Sequence, residues 1–412
     1  MNEAVRNAAP AAGPAFNPLS PDFIRNPYPF YEYLRTNAPM MKTPIGAYLA
    51  SRHADVSLVL RDRRFGKDFA GRTIARYGES IMDEPVFRSM SHWMLTQDPP
   101  DHTRLRGLVV KAFTARRVED MRPRIQAIVD DSIDRVEKTG RMDLIADFAF
   151  RLPVIVICDM LGIPDEDREL FFMRERTGGR LLDPVPLTRA EIDEANQNHQ
   201  NSLDYFLKLF ELRRRQPGDD LTTQLVQAEE DGNKLTNEEL CGNIILLFGA
   251  GHETTVNLIG NGLLALHRNP DQLALLKSKP ELMPNAIEEF LRYDSSVQTT
   301  GRVALEDMGE IGGQEIKKGD PVLCLLGSAN RDPAAYPNNP DKLDITRQNI
   351  RPHSFGGGIH FCLGAQLARI EAEVAIATLL RRLPNLKIDD IENPEWRPTF
   401  VLRGLKTLPA SW

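Results

Sequence analysis

Cysteine is scarce in this chain and widely spaced. Among 412 residues there are four, at positions 158, 241, 324 and 362, and no two of them form a Cys-x-x-Cys pair. This spacing excludes a zinc ribbon and gives no sign of a disulfide framework. Reduced thiols in a cytoplasmic protein are the default interpretation.

Long apolar runs and an excess of positive charge are also missing. The longest apolar stretch, residues 244–250, is far shorter than the roughly 18 residues that a membrane-spanning helix needs. Lysine and arginine total 51 against 58 acidic residues, a net charge of −7, which argues against a nucleic-acid partner. We therefore expect a cytoplasmic protein with neither a membrane nor a nucleic-acid partner.

The pattern that remains is mostly helical. Thr236 and Glu239 form a capping box before a long apolar helix that ends near residue 269. Further helices are predicted over 283–293 and 363–383, and short strands within 302–326. Residues 1–16, rich in Ala and Pro, are predicted to be a flexible tail, and residues 17–412 a single, mainly α domain with a small β portion.

One long segment, residues 69–97, lacks clean periodicity. Irregular segments of this length inside an enzyme often bind ligands, but a plain surface excursion is equally compatible with the sequence.

The strongest motif is a glycine-rich loop that runs from Phe355 to Gly364 and places Cys362 at the start of a helix. Glycines allow close backbone approach, and N–H groups aimed at sulfur stabilise a thiolate. A phosphate-binding loop is disfavoured because no Gly-Lys-Ser/Thr ending follows. A buried structural cysteine is the other alternative.

This loop resembles the haem-binding segment of the cytochrome P450 family. The resemblance implies that haem b is the cofactor and that Cys362 is the thiolate ligand of its iron. It also implies that His360 binds a haem propionate and that Phe355 packs beside the cysteine. Gly357 departs from the family pattern, where a larger residue is common.

A second motif lies inside the long helix, where Ala250, Gly251, Glu253 and Thr254 interrupt an apolar run. Thr254 can bond the carbonyl four residues back and open the helix, although a bent core helix would look the same. The resemblance implies that Glu253 and Thr254 deliver protons during dioxygen activation, and that the small residues leave room for the haem.

Two further sets of residues match the family. Glu289 and Arg292 lie on one helical face, and the resemblance implies a buried structural pair joined by Arg347; a solvated surface pair is the alternative. His102 and Arg106, four residues apart, suit an anion, and with Arg302 the resemblance assigns them to the haem propionates. Alone, each of these three would be interpreted as a solvated surface residue.

The resemblance extends over nearly the whole chain after residue 26 and implies one domain, with haem between the long central helix and the helix after the cysteine loop. The activity implied is a monooxygenase that uses O2. Because only about 50 residues follow Cys362, we expect no fused flavin domain, and electrons from a ferredoxin and its NAD(P)H-dependent reductase. Residues 101–124 carry seven basic and three acidic side chains and are a candidate docking surface.

By the same resemblance, the substrate pocket draws on segments 69–97 and 181–187. It also includes Leu246, Gly249, Ala250, Val297, Phe400 and Val401. These residues are apolar, so we expect a bulky hydrophobic substrate such as a terpenoid, steroid or polyketide.

Two alternative functions stay open. One is a haem-thiolate enzyme that uses peroxide or isomerises its substrate, against which the Glu253–Thr254 pair argues. The other is a haem-binding sensor without turnover. Only the monooxygenase should couple NAD(P)H-derived electrons to product.

Overall fold

Helices form most of the computed structural model, which describes residues 16–172, 178–227, 229–230 and 233–412. The first ten helices are α1 (Pro21–Arg25), α2 (Tyr28–Asn37), α3 (His53–Arg61), α4 (Phe69–Tyr77), α5 (Pro85–Met90), α6 (Asp101–Ala112), α7 (Ala115–Asp120), α8 (Arg122–Asp134), α9 (Arg151–Leu161) and α10 (Arg168–Phe172). They are followed by α11 (Arg189–Arg215), α12 (Leu221–Gln227), α13 (Asn237–Arg268), α14 (Pro270–Ser278), α15 (Met283–Tyr293), α16 (Leu326–Ala329) and α17 (Ala365–Arg382). The mainly α prediction is confirmed.

The strands are short. They are β1 (Met40–Lys42), β2 (Tyr48–Ala50), β3 (Phe65–Gly66), β4 (Arg141–Asp143), β5 (Glu229–Glu230), β6 (Asn233–Lys234), β7 (Thr299–Ala304), β8 (Gly309–Ile311), β9 (Gln314–Ile316), β10 (Pro321–Leu325), β11 (Lys387–Ile388) and β12 (Pro409–Ser411). The largest sheet has the order β1-β2-β10-β7-β3. In it β10 runs parallel to β2, with Leu323 opposite Leu49, and antiparallel to β7. This sheet places β7 beside the cavity described below.

The central helix α13 has 32 residues and begins at the predicted capping box. The Thr236 hydroxyl accepts from the Glu239 N–H at 3.1 Å, and Glu239 accepts from the Thr236 N–H at 3.0 Å. Helices α9 and α17 pack against it, so its apolar residues are buried on several sides. Even so, no helix in the part of the chain described here is long and apolar enough to cross a membrane.

Glu289 and Arg292 form a fully buried ion pair on α15. Two bonds of 2.7 Å join the guanidinium to the carboxylate, and Arg347 adds a contact at 3.3 Å. The remaining N–H groups of Arg292 donate to the carbonyls of Asn330, Pro340 and Lys342. The buried structural role is therefore the one that the structure shows, and the surface alternative is wrong.

The segment 69–97 is not a loop. It contains α4, a 3-10 turn over Glu79–Asp83 and α5. Short helices of five to nine residues give too few turns for a clear periodic pattern, which is why the sequence looks irregular. Several of its residues line the cavity, which agrees with a ligand-binding segment and not with a plain surface excursion.

The predicted tail lies outside the described residues up to position 15. Phe16 itself packs at ring-centroid distances of 5.6 Å from both Phe30 and Phe400. These rings, with Phe23, form an aromatic cluster that ties the start of the described chain to its C-terminal segment.

Replacing Arg292 with Leu should destabilise the fold severely, because it leaves the Glu289 carboxylate buried with only the longer Arg347 contact and the Asp344 N–H as partners. The expected loss is about 3 to 5 kcal/mol, or failure to fold. Urea unfolding of Arg292→Leu checks it. Arg64→Leu, which breaks an exposed 2.7 Å pair with Asp62, is the control and should change stability by less than about 1 kcal/mol. Equal effects of the two variants would contradict the structural role of the buried pair.

Candidate active site

The cysteine loop is shaped by its glycines. Gly356 and Gly358 have φ values of +70° and +65°, and a Cβ on Gly358 would come within 2.3 Å of the Leu60 carbonyl oxygen. Only glycine fits there without moving α3. The Cys362 N–H then donates to the Phe355 carbonyl at 3.0 Å, which fixes the cysteine at the cavity wall.

The space that Gly357 leaves is filled by a neighbour. A Cβ built on Gly357 would lie 3.2 Å from Cβ of Leu60, so α3 packs directly against this part of the loop. The departure from the family pattern is thus compensated locally.

The Cys362 thiol experiences opposing influences. Burial raises the pKa of the thiol above its ordinary value, and the Gly364 N–H and the guanidinium groups of Arg106 and Arg369 offset only part of that rise. The Arg369 guanidinium also stacks on Phe355, with Cζ 4.5 Å from the ring centroid. These groups favour negative charge on sulfur, and coordination to a metal ion would complete the deprotonation.

Helix α13 presents its small residues to the same cavity. Leu246, Gly249, Ala250 and Gly251 line it, and a Cβ on Gly249 would meet nothing within 4 Å. The Thr254 hydroxyl donates to the Ala250 carbonyl at 2.9 Å, as the sequence predicts. Glu253 and Thr254 both reach the cavity wall, so the structure brings the two motifs together.

The cavity has a volume of about 540 Å³ and lies between α13 and the cysteine loop. Its wall is mostly apolar. Besides the residues already named, it includes Phe87, Leu181, Leu182, Val297, Leu326, Val401 and Leu402. Such a cavity suits a ligand with a large apolar surface.

A cluster of cationic and imidazole side chains lies at one side of the cavity. His102 is buried with its ring 4.3 Å from that of His360; both nitrogens of His102 and Nε2 of His360 have no hydrogen-bond partner in the described part of the chain. Arg302 and Lys67 are buried and both donate to the Gly301 carbonyl, at 3.0 and 3.4 Å. Burial, with these neighbouring cations, lowers the pKa values of both histidines.

Arg106 has a second contact that the sequence did not predict. Its Nη2 donates to the Phe361 carbonyl at 2.6 Å, while its side chain also reaches the cavity. It therefore links α6 to the cysteine loop.

One expected pocket residue is wrong. Phe400 packs into the aromatic cluster with Phe16 and Phe23 and is not part of the cavity wall described here. The neighbouring Val401, expected with Phe400, does line the cavity, and so does Leu402.

Sequence reasoning missed two residues. Lys67 was not distinguished because its significance depends on β7, more than 230 positions later.

Glu371 is buried on α17, lines the cavity and has one carboxylate oxygen without a partner in the described residues. Burial raises its pKa to about 8, against the lowering effect of a bond from Thr255. The sequence signal for Glu371 was its position between the apolar residues Ile370 and Ala372 in the predicted helix.

Comparison with known proteins agrees with this geometry. Residues 66–277 and 276–407 match the cytochrome P450 family. A putative cytochrome P450 133B1 of Xylella fastidiosa is 44% identical over 389 residues, which cover 94% of this chain and 96% of the relative. The chain therefore belongs to the cytochrome P450 family.

Two solved structures are also similar. P450BioI, crystallised with a hexadec-9Z-enoic acid-ligated acyl carrier protein, has 39% identity and a TM-score of 0.88, covering 95% of this chain and 99% of that one. CYP109E1 from Bacillus megaterium, in complex with testosterone, has 33% identity and a TM-score of 0.82, covering 94% and 99%. The protein is a cytochrome P450 monooxygenase, and its family implies a haem-thiolate cofactor.

The residues present fit a haem. Haem carries two propionates, and the unpartnered imidazole nitrogens beside Arg302 and Lys67 provide donors and positive charge for such an anion. Within the described chain, neither Arg302 nor Lys67 forms a side-chain ion pair that would compete for this role.

Glu371 should make stability depend on pH. Its folded pKa of about 8 exceeds the ordinary value of 4.5, so the folded state retains a proton that the unfolded state releases between these values. Stability is therefore lost as pH rises through that window, by at most about 1.4 kcal/mol per pH unit. The melting temperature of Glu371→Gln should exceed that of wild type by a margin that grows from pH 5 to pH 8.

Glu373→Gln, on the same helix and paired with Arg122 at 3.2 Å, is the matched control and should show no growing margin. A constant margin for Glu371→Gln would contradict the buried, protonated carboxyl.

Proposed function

We propose that this enzyme inserts one oxygen atom of O2 into a bulky hydrophobic small molecule, with electrons supplied by a ferredoxin and its reductase. The observation that carries the proposal is a cavity that has Cys362 on one wall and the Ala250–Thr254 turn of α13 on another. Neither a structural cysteine nor a bent core helix accounts for that juxtaposition.

In this proposal Cys362 would ligate the haem iron and Phe355 would flank the sulfur. The propionates would be held by His102, Arg106, Arg302 and His360, with Lys67, and the small residues Ala250 and Gly251 would leave room for the haem. When bound, the haem supplies the chemistry that reduces and cleaves dioxygen. Gly364 and Arg106 favour negative charge on the sulfur, and the loop holds it in place.

Glu253 and Thr254 have the role of delivering protons. The Thr254 hydroxyl donates its hydrogen bond to the Ala250 carbonyl, so its oxygen lone pairs can accept a hydrogen bond and hold a water molecule in the cavity. Glu253, the preceding residue, is the acid that supplies a proton through such a water. This arrangement favours dioxygen use over the peroxide-using or isomerising alternative, which needs no proton delivery.

The apolar wall supports a terpenoid, steroid or polyketide substrate. Leu246, Val297 and Val401 offer no charge to such a molecule. The testosterone complex of CYP109E1 is in line with a steroid-sized substrate here.

Electron transfer requires a partner on the outer side of the cysteine loop. Phe361 and Ile359 are exposed there, and Val110 is exposed on α6 one turn from Arg106. Four arginines of the basic segment 101–124 are paired with acids from other elements: Arg104 with Glu239, Arg117 with Asp219, Arg122 with Glu373 and Arg124 with Asp159. Docking there should thus rest on apolar contact as well as charge. A cytoplasmic location stays a prediction.

The test is reconstitution with a surrogate ferredoxin, its reductase and NADPH under ¹⁸O2, with a panel of terpenoids, steroids and polyketides. We expect at least one compound to be converted to a product that carries one ¹⁸O atom. Conversion only with added peroxide, isomerisation without oxygen gain, or haem binding without turnover of any compound would contradict the proposal.

Thr254 provides the matched variants. Thr254→Val removes the hydroxyl at nearly constant volume and should lower product per NADPH oxidised by about tenfold or more, within the range for lost acid–base assistance. Thr254→Ser retains the hydroxyl and should keep most of the coupling. Equal coupling in both variants would show that the hydroxyl has no role in proton delivery.

A further inference from the structure

The wall of the cavity includes two arginines of α4. Arg72 and Arg76 are four residues apart, so their side chains share one face of the helix, and both belong to the cavity wall. Arg76 donates through Nη1 to the Asp183 carbonyl at 3.1 Å. Arg72 lies against β7, where a Cβ built on Gly301 would be 3.0 Å from its Nη1.

Neither guanidinium group forms a side-chain ion pair within the described residues. The Asp68 carboxylate caps α4 by accepting from the Gly71 N–H, and that of Asp183 accepts from Arg180 and two backbone N–H groups. Burial, and then the positive charge of Arg76 and Arg302, lowers the pKa of Arg72 to about 10, against the raising effect of the nearby Asp68 carboxylate. Positive charge held in a cavity without a paired carboxylate is costly, and a ligand anion would offset that cost.

The acids of the cavity wall are placed elsewhere. Glu253 lies on α13 and Glu371 on α17, at the catalytic motifs. Apolar groups such as Phe87 and Leu246 form much of the remaining wall. A ligand that satisfies both regions has an anionic end and a long apolar body.

We propose that Arg72 and Arg76 bind the carboxylate of an amphipathic carboxylic acid substrate and direct its apolar part towards Thr254 and Cys362. This deepens the proposed function and rests on it. A planar guanidinium pairs with a carboxylate through two parallel bonds, which gives geometric selection as well as charge. Oxidation is then expected at a carbon remote from the carboxylate.

A haem propionate is the other carboxylate that Arg72 could meet, because Arg302 is near. Arg76 argues for the substrate, since it lies one turn further along α4 than Arg72 and is bonded to the Asp183 carbonyl. The two sources are separated by measuring haem retention beside ligand selectivity.

The experiment compares tetradecanoic acid with 1-tetradecanol, which has the same chain without the charge. Binding to the haem-loaded enzyme is followed by the spin-state spectrum and by equilibrium dialysis of radiolabelled ligand. Wild type should bind the acid at least tenfold more tightly than the alcohol. Arg72→Gln/Arg76→Gln should lose that preference, with alcohol affinity and the rate of haem transfer to apomyoglobin unchanged.

Arg88→Gln is the matched control, since Arg88 is exposed on the neighbouring α5 and is not on the cavity wall; it should keep the preference. Equal wild-type affinity for acid and alcohol, binding of neither, or faster haem loss in the double variant with selectivity intact would each overturn the proposal. The proposed function fails separately, if reconstituted enzyme incorporates no ¹⁸O into any compound.

Discussion

The buried carboxylate of Glu289 fixes the path of the chain into the cysteine loop. It holds Arg292, whose guanidinium also binds the carbonyl of Asn330. The Asn330 side chain in turn accepts from the His353 N–H at 2.7 Å and donates to the Ser354 hydroxyl at 2.9 Å. Phe355, the first residue of the glycine-rich loop, follows immediately.

Because the charges of this network are far from water, each member depends on the others. A carboxylate that is fully buried needs its partners, and the same partners hold backbone carbonyls of segments distant in sequence. The network thus positions Cys362 without contacting it. The cavity wall opposite is formed by α13, which begins at its capping box and packs on both α15 and α17. The active site lies where α13 faces the cysteine loop.

Much of this could be predicted from local sequence. The capping box at Thr236, the glycine-rich loop before Cys362 and the Thr254 bond to Ala250 each depend on residues within a few positions of one another. Such features have a geometry set by short-range hydrogen bonds and backbone conformation. The family resemblance then indicated which distant motifs belong together.

What could not be predicted depends on long-range packing. Phe400 turns towards the aromatic cluster because Phe16 and Phe23 are there, and nothing near position 400 reveals them. Lys67 matters because β7 brings Gly301 and Arg302 beside it. The positive charge of segment 101–124 follows from its own residues alone. In the fold, four of its arginines pair with acids from other elements, namely Asp159, Asp219, Glu239 and Glu373.

The central claim is that Cys362 is the thiolate ligand of a haem iron in this cavity. The most direct measurement is the absorption spectrum of the dithionite-reduced protein with carbon monoxide, for wild type and Cys362→Ser. A strongly red-shifted Soret band in wild type that is lost in the variant is the result expected of thiolate ligation. A band typical of histidine-ligated haem in wild type, or a red-shifted band that persists in Cys362→Ser, would contradict the assignment.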